Sequence, residues 1–371
     1  MLTETKILDS KAFTLPYNLP PEETVYFDIE TTGFSADVTA LYLIGCIYYE
    51  AGNRKLLQWF AEDKKSEREA LTAFSDFLQD KKYLICYNGT TFDLPYLRKK
   101  YEKHSLEFNT DKFEIIDFYR VFSSYKNFLG IKNLKQKEVE TYLGIFREDR
   151  FSGGELIEWY ARYLKLRFSE SAEKEEIYKT LLLHNSDDLI GMAKLTDLYN
   201  FLQAIGKLIN SGEPLDIKYE IKDKKNIIVL STFVDFDFIK TTGFSKDNFY
   251  LEIICENARN KVSLALDIFD TELKLFYKDY KNYYYLPKED MVIHKSLAAF
   301  VDKENKTKAT AANCYTRHSG SFVKIPEELA LPILKADYSD KIYYTLLDDK
   351  LLNSNEKLNI IFKSVLRYIM K

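Results

Sequence analysis

The 371-residue chain has no apolar run approaching the roughly 18 residues that a membrane span needs. Its N-terminus lacks a basic segment followed by an apolar stretch, the mark of a secretory signal. Its four cysteines, Cys46, Cys86, Cys255 and Cys314, are scattered and form no Cys-x-x-Cys pair. Their spacing excludes the common zinc sites and disulfide frames and reads as free thiols in a reducing compartment. A cytoplasmic protein with no membrane partner is therefore expected. Positive charge is not in excess either. With 53 Lys and Arg against 57 Asp and Glu, the net charge of −4 excludes a uniformly basic nucleic-acid binder. There is no internal repeat and no low-complexity tract.

What is present suits two globular domains. Hydrophobic residues make up 46% and charged residues 30%, enough apolar matter for folded cores, and the length exceeds one ordinary core. Aromatics reach 15%, with 28 Tyr and 26 Phe. Such an excess means sheet-rich packing or a surface that stacks on rings. Charge divides unevenly, −6 over residues 1–205 and +2 over residues 206–371. An acidic first half fits a site for divalent cations, and it equally fits a solvated surface.

Residues 1–21 read as a lead-in, with Pro16, Pro20 and Pro21 opposing regular structure. Val25–Ile29, Ala40–Tyr49 and Lys55–Phe60 read as strands, the last two joined as a hairpin. Glu67–Gln79 has helical spacing, Tyr83–Tyr87 is a strand, Asp93–Tyr101 a helix and Glu114–Asp117 a strand. Helices are expected over about 134–143, 155–163 and 172–204. The order β-β-β-α-β-α-β followed by helices predicts an α/β domain over residues 22–205, a mixed central sheet with flanking helices. A boundary falls near Gly206–Pro214. Beyond it, residues 206–371 read as a smaller α+β domain. Its strands are expected at 227–230, 249–255, 261–267, 272–276, 283–285 and 322–325, and its helices at 289–301 and 357–370.

Three segments of the first domain carry chemistry. In Val25-Tyr-Phe-Asp28-Ile-Glu30-Thr-Thr-Gly33, the two carboxylates lie two apart on a strand and so share a face. Adjacent like charges are costly unless a cation lies between them, and hard oxygens suit Mg²⁺ or Mn²⁺. The plainer reading is two charges at a strand end facing water. Asp93 follows the strand ending at Asn88-Gly89 and opens a helix. It is placed as a helix N-cap or at the carboxyl edge of the sheet, where ligands bind. His184 and Asp188 are four apart on one helix, hence on one face. They form a surface pair, or a metal ligand beside a group that handles a water proton near neutral pH.

Together the three segments resemble the Exo I, Exo II and Exo III motifs of the DEDD 3′–5′ exonucleases of the RNase H-like superfamily. More narrowly they resemble the bacterial YprB-like RNase H-like proteins, whose Exo I segment is like Phe27-Asp-Ile-Glu-Thr-Thr-Gly33 and whose Exo III segment is His-Asn-x-x-Asp, here His184 to Asp188. Asp117-Phe-Tyr-Arg120 and the helical insert around Ser152-Gly153-Gly154 add to the likeness, which covers about residues 22–203. The resemblance implies a 3′–5′ exonuclease hydrolysing phosphodiester bonds by a two-metal mechanism. Asp28, Glu30, Asp93 and Asp188 would hold two Mg²⁺ or Mn²⁺ ions, and His184 would orient the water. The common subclasses place Tyr four residues, or His five, before the last Asp; here His stands four before it. Asp187 is expected beside the site or on the surface. Thr31, Thr32, Asn88 and Asn185 are candidates for contact with the terminal nucleotide, or ordinary turn and helix polar residues. Asp117 supports the site or caps the next helix.

In the second domain, the aromatic and basic stretch 278–318 suits single-stranded nucleic acid or a Tyr-rich strand with solvated lysines. His294, Cys314 and His318 show no standard ligand spacing. The expected partner is nucleic acid, most readily a single-stranded 3′ end. Two other functions compete: a non-catalytic nucleic-acid-binding protein that retains the fold, and a structure-specific endonuclease.

Overall fold

The computed structural model describes residues 1–9, 14–147, 151, 153–234, 242–256 and 259–371. Ser152 lies outside the described residues, as does the side chain of Cys255. The chain divides into two compact units, Met1–Leu202 and Gln203–Lys371. Among the described residues, no helix is long and apolar enough to cross a membrane.

The first unit opens with β1 (Leu2–Leu8), β2 (Thr24–Thr31), β3 (Leu41–Glu50) and β4 (Asn53–Phe60). Then follow α1 (Lys64–Phe77), β5 (Tyr83–Cys86), α2 (Asp93–Lys103) and β6 (Glu114–Asp117). The helices α3 (Phe118–Ser124), α4 (Lys126–Leu129), α5 (Gln136–Tyr142), α6 (Gly153–Leu166), α7 (Ala172–Lys194) and α8 (Thr196–Asn210) complete it, the division between units falling inside α8. The sheet runs β1-β4-β3-β2-β5-β6, antiparallel as far as β2 and parallel at β2–β5 and β5–β6. It is the mixed sheet that the strand order predicts.

Period two divides β2 between two layers. Val25, Phe27 and Ile29 join one core with Leu71 and Phe74 of α1 and Leu94 and Leu97 of α2. Asp28 and Glu30 therefore point to the opposite face, where α7 packs on β2 and β3. A second core there joins Leu43 and Phe60 to Tyr160 of α6 and to Ile177 and Leu181 of α7. A buried ion cluster fixes the start of β3. Glu67 accepts from Leu41 N at 2.8 Å, from Lys100 Nζ at 3.1 Å and sits 2.6 Å from His104 Nε2.

The structure departs from the sequence expectation in several places. The lead-in contains a strand, because Leu2–Leu8 pairs with the open edge of β4 from Leu2↔Phe60 to Leu8↔Arg54. Its prolines all come later. The expected helix 172–204 is two helices, since Thr196 is buried and its hydroxyl bonds to Tyr26 OH at 2.6 Å. The second of them continues through Gly206 to Asn210. Asp93 does not cap α2; Phe92 holds that position and Asp93 is the first helical residue.

The second unit contains β7 (Lys218–Lys222), β8 (Ile227–Val234), β9 (Thr242–Lys246), β10 (Phe249–Glu256), β11 (Arg259–Phe276), β12 (Tyr283–Leu286), β13 (Met291–His294), β14 (Thr307–Lys308), β15 (Tyr315–Ile325) and β16 (Tyr343–Leu346). It closes with α9 (Asp349–Leu352) and α10 (Asn355–Met370). One sheet has seven strands and another three. The amphipathic helix α10 buries Leu358, Phe362, Val365 and Ile369. It packs against β9, β10, β11 and β15, an α+β arrangement. The strands expected at 261–267 and 272–276 are one 18-residue strand. Its partner changes midway, from β8 up to Asp267 to β15 from Ile268, so the polar residues there mark a change of partner, not a turn. The helix expected at 289–301 is absent. Residues 291–294 pair with β12 instead, after a turn in which Asp290 takes φ +48°.

Candidate metal centre

The centre is built on a row of residues across three strands. Register sets Asp28 opposite Gly45, and Gly45 opposite Gln58. The missing side chain at Gly45 makes room for α7. A Cβ there would come within 2.0 Å of Asn185 Oδ1 and 2.6 Å of Leu189 Cδ1. Asn185 thus lies over Gly45 with no exposed surface. Its Nδ2 donates to Asp28 Oδ2 at 2.9 Å, and its Oδ1 accepts from Gln58 Nε2 at 2.9 Å. Asn185 thus bridges Asp28 of β2 and Gln58 of β4 and ties α7 to the sheet.

The other α7 groups lie one residue before Asn185 and three after it. His184 Nε2 is 3.3 Å from Asp188 Oδ2 and 3.6 Å from Glu30 Oε1. One donor atom each from Glu30, His184 and Asp188 falls within 4.8 Å of the others. Asp93 reaches the same edge differently. The β2–β5 pairing ends at Tyr26↔Ile85, and beyond it Ile29 N donates to Asp93 Oδ1 at 3.3 Å.

Burial and mutual repulsion leave their mark on these acids. Burial first, then the charges of Asp188, Glu30 and Asp93, push Asp28 well above the usual carboxylate range; Asn185 opposes them. Burial likewise pushes Asp93 up to about 7, with Asp117 and Asp188 adding to it. Carboxylates that resist ionisation in each other's company are a site short of positive charge. Oxygen donors with one imidazole fit Mg²⁺ or Mn²⁺.

Three residues that no motif marked belong here. Tyr42 OH lies 3.5 Å from Glu30 Oε2; burial and the charges of Glu30 and Asp28 raise its pKa, so it stays a donor. Arg147 bonds Asp188 and Glu140. Phe34, on the turn after Thr31-Thr32-Gly33, is 93% exposed and packs edge-on to Phe92 at 5.9 Å. Only Phe34 is sequence-adjacent to a motif and open to earlier notice.

The remaining expected residues are placed as follows. Thr31 Oγ1 donates to Gly33 O and Thr32 Oγ1 accepts from Ala40 N, both ordering the turn. Asn88 is half-buried at φ +61°. Asp117 caps α3 through Tyr119 N and accepts from Asn88 N, Thr90 N and Thr90 Oγ1. It thereby ties down the loop leading to Asp93.

Residues 25–200 match the family model of the RNase H superfamily. The first unit has the RNase H-like fold. No curated protein matches the chain. Among solved structures, the chain is similar to the family B DNA polymerase of the archaeon Pyrobaculum calidifontis at 14% identity and a TM-score of 0.37, covering 71% of this chain and 35% of that one. It is also similar to Escherichia coli exonuclease I in complex with a dT13 oligonucleotide at 11% identity and a TM-score of 0.29, covering 56% and 55%. The chain thus spans about a third to just over half of those structures.

In the second unit, several rings and cations in and beside the stretch 278–318 contact one another. Tyr277 stacks on Tyr283 at 5.0 Å. Lys306 Nζ lies over Tyr284 and donates to Val301 O, and Lys295 Nζ donates to Asn282 Oδ1. His294 bonds Ser296, and His318 bonds Thr316.

Proposed function

We propose that this chain is a metal-dependent nuclease that removes nucleotides from the 3′ end of a nucleic-acid strand. The observation that carries the reading is the convergence of Asp28, Glu30, Asp93, Asp188 and His184 at one sheet edge, with burial and repulsion raising Asp28 and Asp93. An RNase H-like framework supports it. Asp28, Glu30, Asp93 and Asp188 would hold two Mg²⁺ or Mn²⁺ ions. Such ions supply a water of lowered pKa and charge stabilisation at the leaving oxygen.

The chain's own groups do the rest. Asn185 fixes the orientation of Asp28. Tyr42 stays protonated and donates to Glu30. His184, held between Glu30 and Asp188, orients the attacking water and takes its proton. The exposed ring of Phe34, linked through Phe92 to the start of α2, offers a face on which a terminal base stacks.

The test is incubation of the full chain with 5′-labelled single-stranded DNA and RNA oligonucleotides in Mg²⁺, Mn²⁺ or EDTA, beside Asp28→Ala. A ladder shortening from the 3′ end, lost in EDTA and in the variant, is expected. Internal cuts would return the endonuclease reading. Retained binding without cleavage would return the binding-protein reading.

A further inference from the structure

Asp188 has two carboxylate oxygens, and the fold treats them differently. Oδ2 faces His184. Oδ1 accepts from Arg147 Nη1. The Arg147 side chain is only 7% exposed and Glu140 only 1%. The guanidinium is forked onto that carboxylate, Nε to Oε2 at 2.5 Å and Nη2 to Oε1 at 2.7 Å. Glu140 takes a further bond from Gln136 Nε2 at 2.8 Å. It is pressed against α7 where Gly191 leaves space; a Cβ there would lie 2.1 Å from Glu140 Oε1. Gln136 Nε2 also donates to Asp188 O at 2.7 Å. Helix α5 and Arg147, five residues beyond its end, thus converge on Asp188, Gln136 at its backbone carbonyl and Arg147 at its carboxylate. The charges of Glu140 and Arg147 cancel, so the pair contributes no net charge. It contributes a fixed donor, because a planar fork held at one end by a carboxylate has one direction left for its remaining nitrogen.

We propose that Arg147 is a positioning residue that binds Asp188 through Oδ1 and so dedicates Oδ2 to a divalent cation. The proposal rests on the metal-dependent reading of the same site and adds how one ligand is aimed. Partners that aim a metal ligand commonly cost about 10- to 100-fold in metal affinity when removed.

The experiment is calorimetric titration of the metal-free full chain with Mn²⁺, for the wild type, Arg147→Gln and Arg147→Lys, with melting in EDTA to show that each is folded. Arg147→Gln is expected to weaken Mn²⁺ binding about 10- to 100-fold. Arg147→Lys is expected to recover little of it, since an ammonium cannot fork Glu140 and hold Asp188 together. Unchanged affinity in Arg147→Gln overturns the proposal. So does tighter binding, which would mean that the guanidinium competes with the cation, and so does full recovery by lysine, which would mean that charge alone matters. If Arg147→Gln does not fold, Arg147→Lys decides by the same readout. A wild type that binds no Mn²⁺ overturns the metal-dependent reading itself; a wild type that binds while both variants match it overturns only the role of Arg147.

Discussion

Each unit contains a cluster of charged and aromatic side chains around aspartates, and the two clusters are opposite in kind. In the second unit, Asp290 accepts from Tyr285 OH at 2.8 Å and Tyr315 OH at 2.6 Å and pairs with Arg317. The Tyr315 hydroxyl foremost, with Arg317 and Tyr285, holds its pKa down at about 2. In the first unit, Asp93 is buried and Asp28 half-buried among other acids, and both are pushed up. The one acid is satisfied by donors already in the fold. The others face chiefly one another's charge. An acidic cluster earns a functional reading when its members oppose one another's charge, and a structural one when donors surround it.

The largest effect that tests this contrast is on Asp93→Asn. Activity should fall by at least about a thousandfold. In EDTA the same variant should melt higher than the wild type, because a repelling charge is gone; about 2–4 °C corresponds to 1 kcal/mol in a unit of this size. Asp290→Asn should do the reverse, leaving cleavage unchanged and lowering the melting temperature of the second unit. The expected loss is about 1–2 kcal/mol for bonds in a partly exposed place. Equal melting shifts in the two variants would break the comparison.

Gly45→Ala comes next. Its methyl would strike Asn185 and Leu189, at a cost of about 1–3 kcal/mol for an overfilled contact. Because Asn185 would leave its seat over Gly45 and beside Asp28, Mn²⁺ affinity should fall along with the melting temperature. Normal Mn²⁺ affinity in a destabilised variant would show that Asn185 acts only in packing.

The smallest effect is on pH dependence. A folded-state pKa raised to about 7 at Asp93 gives stability that is complete below the unfolded value near 3.9 and is lost as pH rises through about 7. In EDTA the first unit should therefore lose stability between pH 5 and 8, and Asp93→Asn should flatten that slope. With Mn²⁺ present the slope should reverse, since the ligands must lose protons to bind. Asp290, lowered to about 2, contributes above the unfolded value and is lost only as pH falls through about 2, so it should leave the range from 5 to 8 flat.

Much of the first unit was legible because buried strands such as Ala40–Tyr49 are nearly continuous apolar and aromatic runs. The edge strand Leu2–Leu8 was not legible. Six of its seven residues are exposed, so it carries no burial pattern, and only pairing with β4 makes it a strand. Strand β11 was read as two for a similar reason: its polar middle is set by an exchange of partners, and partners are distant in sequence. The basic and aromatic stretch 278–318 left two readings open in sequence, because only the fold shows that Lys306 lies over Tyr284 and that Lys295 bonds Asn282.

For the site, sequence alone determined whatever depends on local periodicity. Asp28 and Glu30 share a face because a strand repeats every two residues. His184 and Asp188 share one because a helix repeats near every four. Tertiary structure decided the rest. Asn185 reads as one more polar helix residue until the register brings Gly45 beneath it and Asp28 beside it. Arg147 is an ordinary basic residue after a short helix until α5 crosses α7 at Gly191. Those contacts are made across 157 and 41 positions of sequence, and no local repeat reaches so far; only the packing of one element on another brings such groups within hydrogen-bond distance.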